Sequence, residues 1–157
     1  MNKTAYIALG SNLGDREANI RGAYRALGLV PGVRCIALSA LYETEPWGVR
    51  DQPMFLNACA RLLTDRPPEM LLGALLGIEA AFGRVREVKN GPRTLDLDLL
   101  LYEGETRDTP ALTLPHPGLT QRDFVLRPLL DVSPGGFALG LDVKAALAAL
   151  SEADSAN

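Results

Sequence analysis

A chain of 157 residues with ordinary hydrophobic content is long enough to bury a core without staples and is expected to form one domain, residues 1–157. Its formal net charge of −3 gives no reason to expect a nucleic-acid binder or a polybasic membrane anchor. The single histidine, His116, excludes a multi-histidine metal site and leaves carboxylates, arginines and bound metal to carry any chemistry.

Cys35 and Cys59 lie far apart, without a Cys-x-x-Cys pair or a Cys/His cluster, so they read as buried thiols of a reducing compartment. No apolar run approaches the ~20 residues that span a bilayer. The N-terminus runs straight into Ala5-Tyr6-Ile7-Ala8-Leu9 with no signal-peptide pattern. A cytoplasmic protein with no membrane partner is expected.

In chain order, Thr4 to Leu9 reads as a buried strand ended by the turn-rich Gly10-Ser11-Asn12-Leu13-Gly14-Asp15. Ile20, Tyr24 and Leu27 fall at helical spacing, with Gly28 as the end signal. Val33 to Glu43 reads as a second strand, and Pro46 to Pro53 as a loop. Phe55 to Leu63 alternates, with Leu56, Ala58, Ala60 and Leu62 inward and Phe55, Asn57 and Cys59 on the other side. Pro67-Pro68-Glu69 opens a helix whose apolar stripe is Leu71, Leu75, Ile78 and Phe82. A loop from Gly83 to Arg93 precedes another strand. The order strand-helix-strand-strand-helix-strand predicts an α+β fold, a ferredoxin-like βαββαβ sandwich. Additional C-terminal strand and helix elements follow: a Pro-rich loop around His116, a helix-like stretch from Val125 to Leu130, and a last helix from Asp142 to Leu150. Ser151 to Asn157 is expected to fray.

The most informative run is Gly91-Pro92-Arg93-Thr94-Leu95-Asp96-Leu97-Asp98-Leu99-Leu100-Leu101-Tyr102. Period-two alternation puts Leu95, Leu97, Leu99 and Leu101 on one strand face and Thr94, Asp96 and Asp98 on the other. Same-face neighbours stand roughly 6.6 Å apart, so the two carboxylates repel one another unless a cation lies between them. Aspartate is also a poor strand former. Hard Mg²⁺ is held by one or two carboxylates together with polyphosphate oxygens. Just upstream, Arg84, Arg86, Lys89 and Arg93 outnumber Glu87, and arginine grips phosphate bidentately. Paired carboxylates beside clustered arginines suit transfer of a phosphoryl-type group. A glycosidase-type acid/base pair is disfavoured, since both acids stand on one strand and share one side of any substrate.

Other segments are less specific. Gly10-Ser11-Asn12-Leu13-Gly14 lacks the spacing of a P-loop or of a dinucleotide fingerprint and reads as a turn able to approach a ligand. Pro115-His116-Pro117 fixes the backbone around the histidine, and with Arg122 and Arg127 it can present donors to an anion. Phe55 beside Asn57 suits a flat hydrogen-bonding heterocycle, although Phe55 reads equally as core.

Ala5 to Leu13, Asp51-Gln52-Pro53 with Phe55-Leu56-Asn57-Ala58, Gly83-Arg84-Val85-Arg86, Gly91 to Asp98, and Pro115-His116-Pro117 with Arg122-Asp123-Phe124-Val125-Leu126 recur in one order. Together they resemble the 6-hydroxymethyl-7,8-dihydropterin pyrophosphokinase family over about Thr4 to Asp131. The resemblance implies transfer of pyrophosphate from ATP to the pterin hydroxymethyl group, with release of AMP, in folate biosynthesis. It implies two Mg²⁺ ions on Asp96 and Asp98, ATP as co-substrate and a reduced pterin as acceptor; the sequence itself does not encode the oligomeric state, and a monomer is the working expectation. Arg84, Arg93 and Asp98 take catalytic positions. Glu79, Arg84, Arg86, Arg93, His116 and Arg122 match the ATP side. Gly10, Thr44, Glu45, Pro46, Trp47, Phe55, Asn57 and Phe124 match the pterin pocket. The chain departs from better-known members at Asn90 in place of a tryptophan, Glu87 in place of a lysine, Phe55 in place of a tyrosine and Leu76 in place of a polar nucleotide contact. Two other classes are weighed against this reading: a non-catalytic ferredoxin-like small-molecule-binding module, and a two-metal nucleotidyl transferase that would release pyrophosphate.

Overall fold

The structure is a computed structural model that describes residues 2–45, 53–83 and 94–156, with side chains to residue 153. In chain order come β1 (Lys3–Ser11), α1 (Arg16–Leu29), β2 (Val33–Leu38), β3 (Tyr42–Thr44), β4 (Phe55–Thr64), α2 (Pro68–Ala81) and β5 (Asp96–Tyr102). The hairpin β6 (Arg107–Asp108) and β7 (Thr113–Leu114) follows, then α3 (Asp123–Asp131), the hairpin β8 (Phe137–Ala138) and β9 (Leu141–Asp142), and α4 (Val143–Ala156).

The main sheet has the order β2-β4-β1-β5, with β3 also on β4, and all of these pairings are antiparallel. Alternation sorts its residues onto two covered faces. Ala5, Ile7 and Leu9 of β1, Ala58, Ala60 and Leu62 of β4, and Leu97 and Leu99 of β5 pack against Ile20, Ala23 and Leu27 of α1 and Leu71, Leu75 and Ile78 of α2. On the opposite face Tyr6, Cys59, Leu100 and Leu101 pack against Val125, Leu126 and Leu129 of α3 and Val143 of α4. Both thiols are free, Cys59 buried and Cys35 half-buried, and burial pushes each above its ordinary pKa.

Several expected boundaries are corrected. The helix α1 runs one residue past Gly28, to Leu29, and an added Cβ on Gly28 would make only ordinary contact with the Cys35 sulfur, at 3.7 Å. The expected strand Val33 to Glu43 is two, β2 and β3, because Ser39 turns inward and exchanges hydrogen bonds with the Cys59 backbone. Ser151 continues α4 instead of fraying. Leu101 does not share the face of Leu97 and Leu99. The register on β1 shifts between Tyr6 and Ile7, which pair with Leu101 and Leu99. Leu100 is therefore an extra residue, a β-bulge that turns Leu101 toward α3 and α4. The Leu100 carbonyl, freed by this irregularity, accepts from the His116 N–H at 2.9 Å and so ties the histidine loop to β5.

Candidate active site

The face that α3 and α4 cover changes character along its strands. At one end lie Tyr6, Leu100 and Leu101 under α3. At the other, beyond the first turn of α3, Ala8, Gly10, Asn57, Asp96 and Asp98 line an open cleft with Thr44, Glu45, Phe55, Arg122 and Phe124.

The cleft floor follows from register. Gly10 of β1 pairs with Asn57 on β4 and with Asp96 on β5, so the three form one row across the sheet. Ala8 likewise stands between Cys59 and Asp98. Adjacent strands are about 4.8 Å apart, which places the Asn57 and Asp96 backbones roughly 9.6 Å apart on the same face. Only small residues, Gly10 and Ala8, lie between them. A Cβ on Gly10 would come within 3.3 Å of Asn57 Oδ1 and 3.8 Å of the Phe55 ring. The first of these contacts is tighter than usual, so a side chain at this position presses on the amide that faces the cleft.

Asn57 Nδ2 donates to Thr44 Oγ1 at 2.6 Å, which fixes the amide plane with Oδ1 on the Gly10 side. Phe124 lies in the first turn of α3, with the Arg122 guanidinium 5.9 Å from its ring centroid. Arg122 also rests on Gly118, where a Cβ would stand 2.6 Å from Arg122 Nε. His116 is half-buried. Its Nδ1 accepts from the Gly118 N–H at 3.2 Å, which puts the proton of the neutral ring on Nε2. Burial and then the Arg122 charge hold its pKa below the usual imidazole value, and Asp96 opposes them. These directions bring His116, Arg122 and Asp96 into one electrostatic neighbourhood.

Asp96 and Asp98 both line the cleft, as the alternation predicts. No group of three or more His, Cys, Asp or Glu occurs among the described residues. The protein thus offers an oxygen-only pair, which fits Mg²⁺ completed by water and phosphate oxygens and does not fit a zinc cage. Thr94 Oγ1, two residues before Asp96, is buried and has no hydrogen-bond partner among the described residues.

Glu79 is placed differently from a cleft-lining ATP contact. It is 2 % exposed in α2, and its Oε2 accepts from the Leu97 N–H at 2.7 Å. Leu97 lies between the two aspartates on the edge strand β5, so Glu79 satisfies an outward-facing N–H and supports the strand that carries them. Arg84, Arg86, Arg93, Pro46, Trp47, Glu87 and Asn90 lie outside the described residues. Leu76 is exposed on α2. Asn12 belongs to the turn singled out in the sequence, whereas Arg16, Asn19 and Gly118 bear on the site without having been singled out. Their partners are distant in the chain and no local pattern marks them.

An acidic, oxygen-only pair and an aromatic slot with an amide share one cleft. Residues 6–134 match the sequence profile described as 7,8-dihydro-6-hydroxymethylpterin-pyrophosphokinase. A 2-amino-4-hydroxy-6-hydroxymethyldihydropteridine pyrophosphokinase of Methylorubrum extorquens is 47% identical over 146 residues, 93% of this chain and 92% of that protein. One of the same name from Bacillus subtilis is 46% identical over 132 residues, 84% of this chain and 79% of that protein. A crystal structure of HPPK-DHPS in complex with substrates superposes with a TM-score of 0.69 at 13% identity. It covers 100% of this chain, which spans 45% of that longer one. The chain belongs to the 7,8-dihydro-6-hydroxymethylpterin-pyrophosphokinase family.

Proposed function

We propose that the protein transfers pyrophosphate from MgATP to the hydroxymethyl group of 6-hydroxymethyl-7,8-dihydropterin, giving AMP and the pterin diphosphate, in folate biosynthesis. The observation that carries this reading is the row Asn57–Gly10–Asp96, which puts a heterocycle-reading amide and a metal-holding carboxylate on one face across a small residue. The pterin lies between Phe55 and Phe124, and its edge is read by Asn57 on the Thr44 hydroxyl. Gly10 and Glu45 complete that wall, and Pro46 and Trp47 extend it by family resemblance.

Asp96 and Asp98 would hold two Mg²⁺ ions, which would supply neutralisation of the triphosphate and acidification of the pterin hydroxyl. Asp98 takes up the hydroxyl proton. His116 Nε2 and the Arg122 guanidinium donate to phosphate oxygens. Arg84, Arg86 and Arg93 add charge on the same side, with Arg84 and Arg93 stabilising the transition state. Glu79 sets the aspartate strand beneath the nucleotide.

The order β2-β4-β1-β5, with α1 and α2 on one face, supports a ferredoxin-like description of the βαββαβ part. The helices on the second face pack on that same sheet, which supports a single domain over residues 1–157. We take the protein to act as a monomer, and two free thiols support a cytoplasmic setting.

Incubation with ATP, Mg²⁺ and the reduced pterin, followed by chromatography of the nucleotides, tests the reading. AMP formed in step with the pterin diphosphate is the expected result. ADP would indicate γ-phosphoryl transfer, and pyrophosphate release a nucleotidyl transferase. Saturable binding without turnover would indicate a binding module. Each of these three outcomes contradicts the proposal.

A further inference from the structure

The turn after β1 and the first turn of α1 grip the chain at two places on opposite sides of the cleft. On the pterin side, Asn12 Nδ2 donates to the Pro53 carbonyl at 3.0 Å. Arg16 donates to the Met54 carbonyl at 2.9 Å and to Glu43 Oε1 at 2.8 Å. Pro53 and Met54 lead directly into Phe55, and Glu43 precedes Thr44 in β3. On the metal side, Asn19 Nδ2 donates to the Thr94 carbonyl at 3.1 Å, two residues before Asp96. The same nitrogen reaches the Leu13 carbonyl at 3.0 Å and Ser11 Oγ at 3.2 Å.

The Asn19 side chain is not needed to start its helix. Asp15 already caps α1, accepting from the Ala18 N–H at 3.1 Å through its side chain and from the Asn19 N–H at 2.9 Å through its carbonyl. The amide is therefore spent on contacts outside the helix. An NH₂ group has two hydrogens, and three acceptors converge on this one, so its position is over-determined by the turn and by the entry to β5.

We propose that Asn19 is a positioning residue that links pterin binding to magnesium-nucleotide binding, by holding the entry of the aspartate strand to the same turn that holds the entry of the pterin wall. This rests on the function proposed above. A ligand that fixes Phe55 and Asn57 also fixes Pro53 and Met54. Asn12, Arg16 and the Ser11–Leu13 turn pass that constraint to Asn19 and Thr94. By linkage the effect is reciprocal.

The test titrates 6-hydroxymethylpterin into the full chain by calorimetry, with and without Mg²⁺ and a non-hydrolysable ATP analogue. The unsubstituted chain binds the pterin more tightly when the nucleotide is present. Asn19→Ala lowers that enhancement by about fivefold or more, the lower end of typical coupling between sites. Asn19→Asp, of the same shape but turning an acceptor toward the Thr94 and Leu13 carbonyls, lowers it likewise. Arg16→Ala, which loosens the junction from the other side, lowers the same ratio and serves if neither Asn19 variant folds. A merely structural role would lower the melting temperature and leave the ratio intact. An unchanged ratio in the folded variants overturns the inference. So does an unsubstituted chain with no enhancement, and AMP release by that same preparation would show that the proposed function nevertheless stands.

Discussion

Asp96→Ala is expected to lower AMP formation on the order of 10²-fold or more, as loss of a charge-stabilising group does in other enzymes. Asp96 stands opposite Gly10 on the cleft floor, half-buried, in the electrostatic neighbourhood of His116 and Arg122. Its removal leaves Asp98 alone to hold the metal nucleotide, and one carboxylate can neither share two ions nor fix their spacing. Steady-state assay of AMP, paired with thermal unfolding, separates loss of chemistry from loss of fold. A melting temperature within a few degrees of the parent is expected beside the lost turnover. Near-parental AMP release would contradict the assignment.

Gly10→Val is expected to cost about 10²-fold in kcat/KM, the scale on which a displacement of about 1 Å in a bound reactant is felt. The first added carbon already meets Asn57 Oδ1 at 3.3 Å, and the branched methyls of valine would project further between Asn57, Phe55 and Asp96. Valine is a good strand former, so β1 should persist and the loss should fall on the cleft. Binding of an ATP analogue should survive while pterin binding is lost. Gly10→Ala should lie between the two. Equal pterin affinity in Gly10→Val would show that the row across the sheet is not the substrate floor.

The aspartate pair was legible because a half-open strand writes its two faces into alternate positions, and Leu-Asp-Leu-Asp admits no helical reading. The helices over Ile20 to Leu27 and Leu71 to Ile78 were legible for the same kind of reason, a period of 3.6. The bulge at Leu100 was not. Three consecutive leucines satisfy either face, and only the Tyr6/Ile7 register shift decides between them. Gly28 marked the end of its helix to within one residue, since α1 stops at Leu29. Glu79 carried a family expectation of nucleotide contact, while its bond to the Leu97 N–H depends on how α2 crosses β5. Asn19 was invisible for a similar reason. Its Thr94 partner lies 75 residues away, and no local pattern encodes such a contact.

The claim that Asp96 and Asp98 together hold a divalent ion against the nucleotide can be read directly with Mn²⁺ in place of Mg²⁺. Electron paramagnetic resonance of Mn²⁺ with a non-hydrolysable ATP analogue should show the ion immobilised by the unsubstituted chain. The same folded chain carrying Asp96→Asn and Asp98→Asn should immobilise none beyond what free nucleotide holds. Equal immobilisation by both proteins would contradict the account.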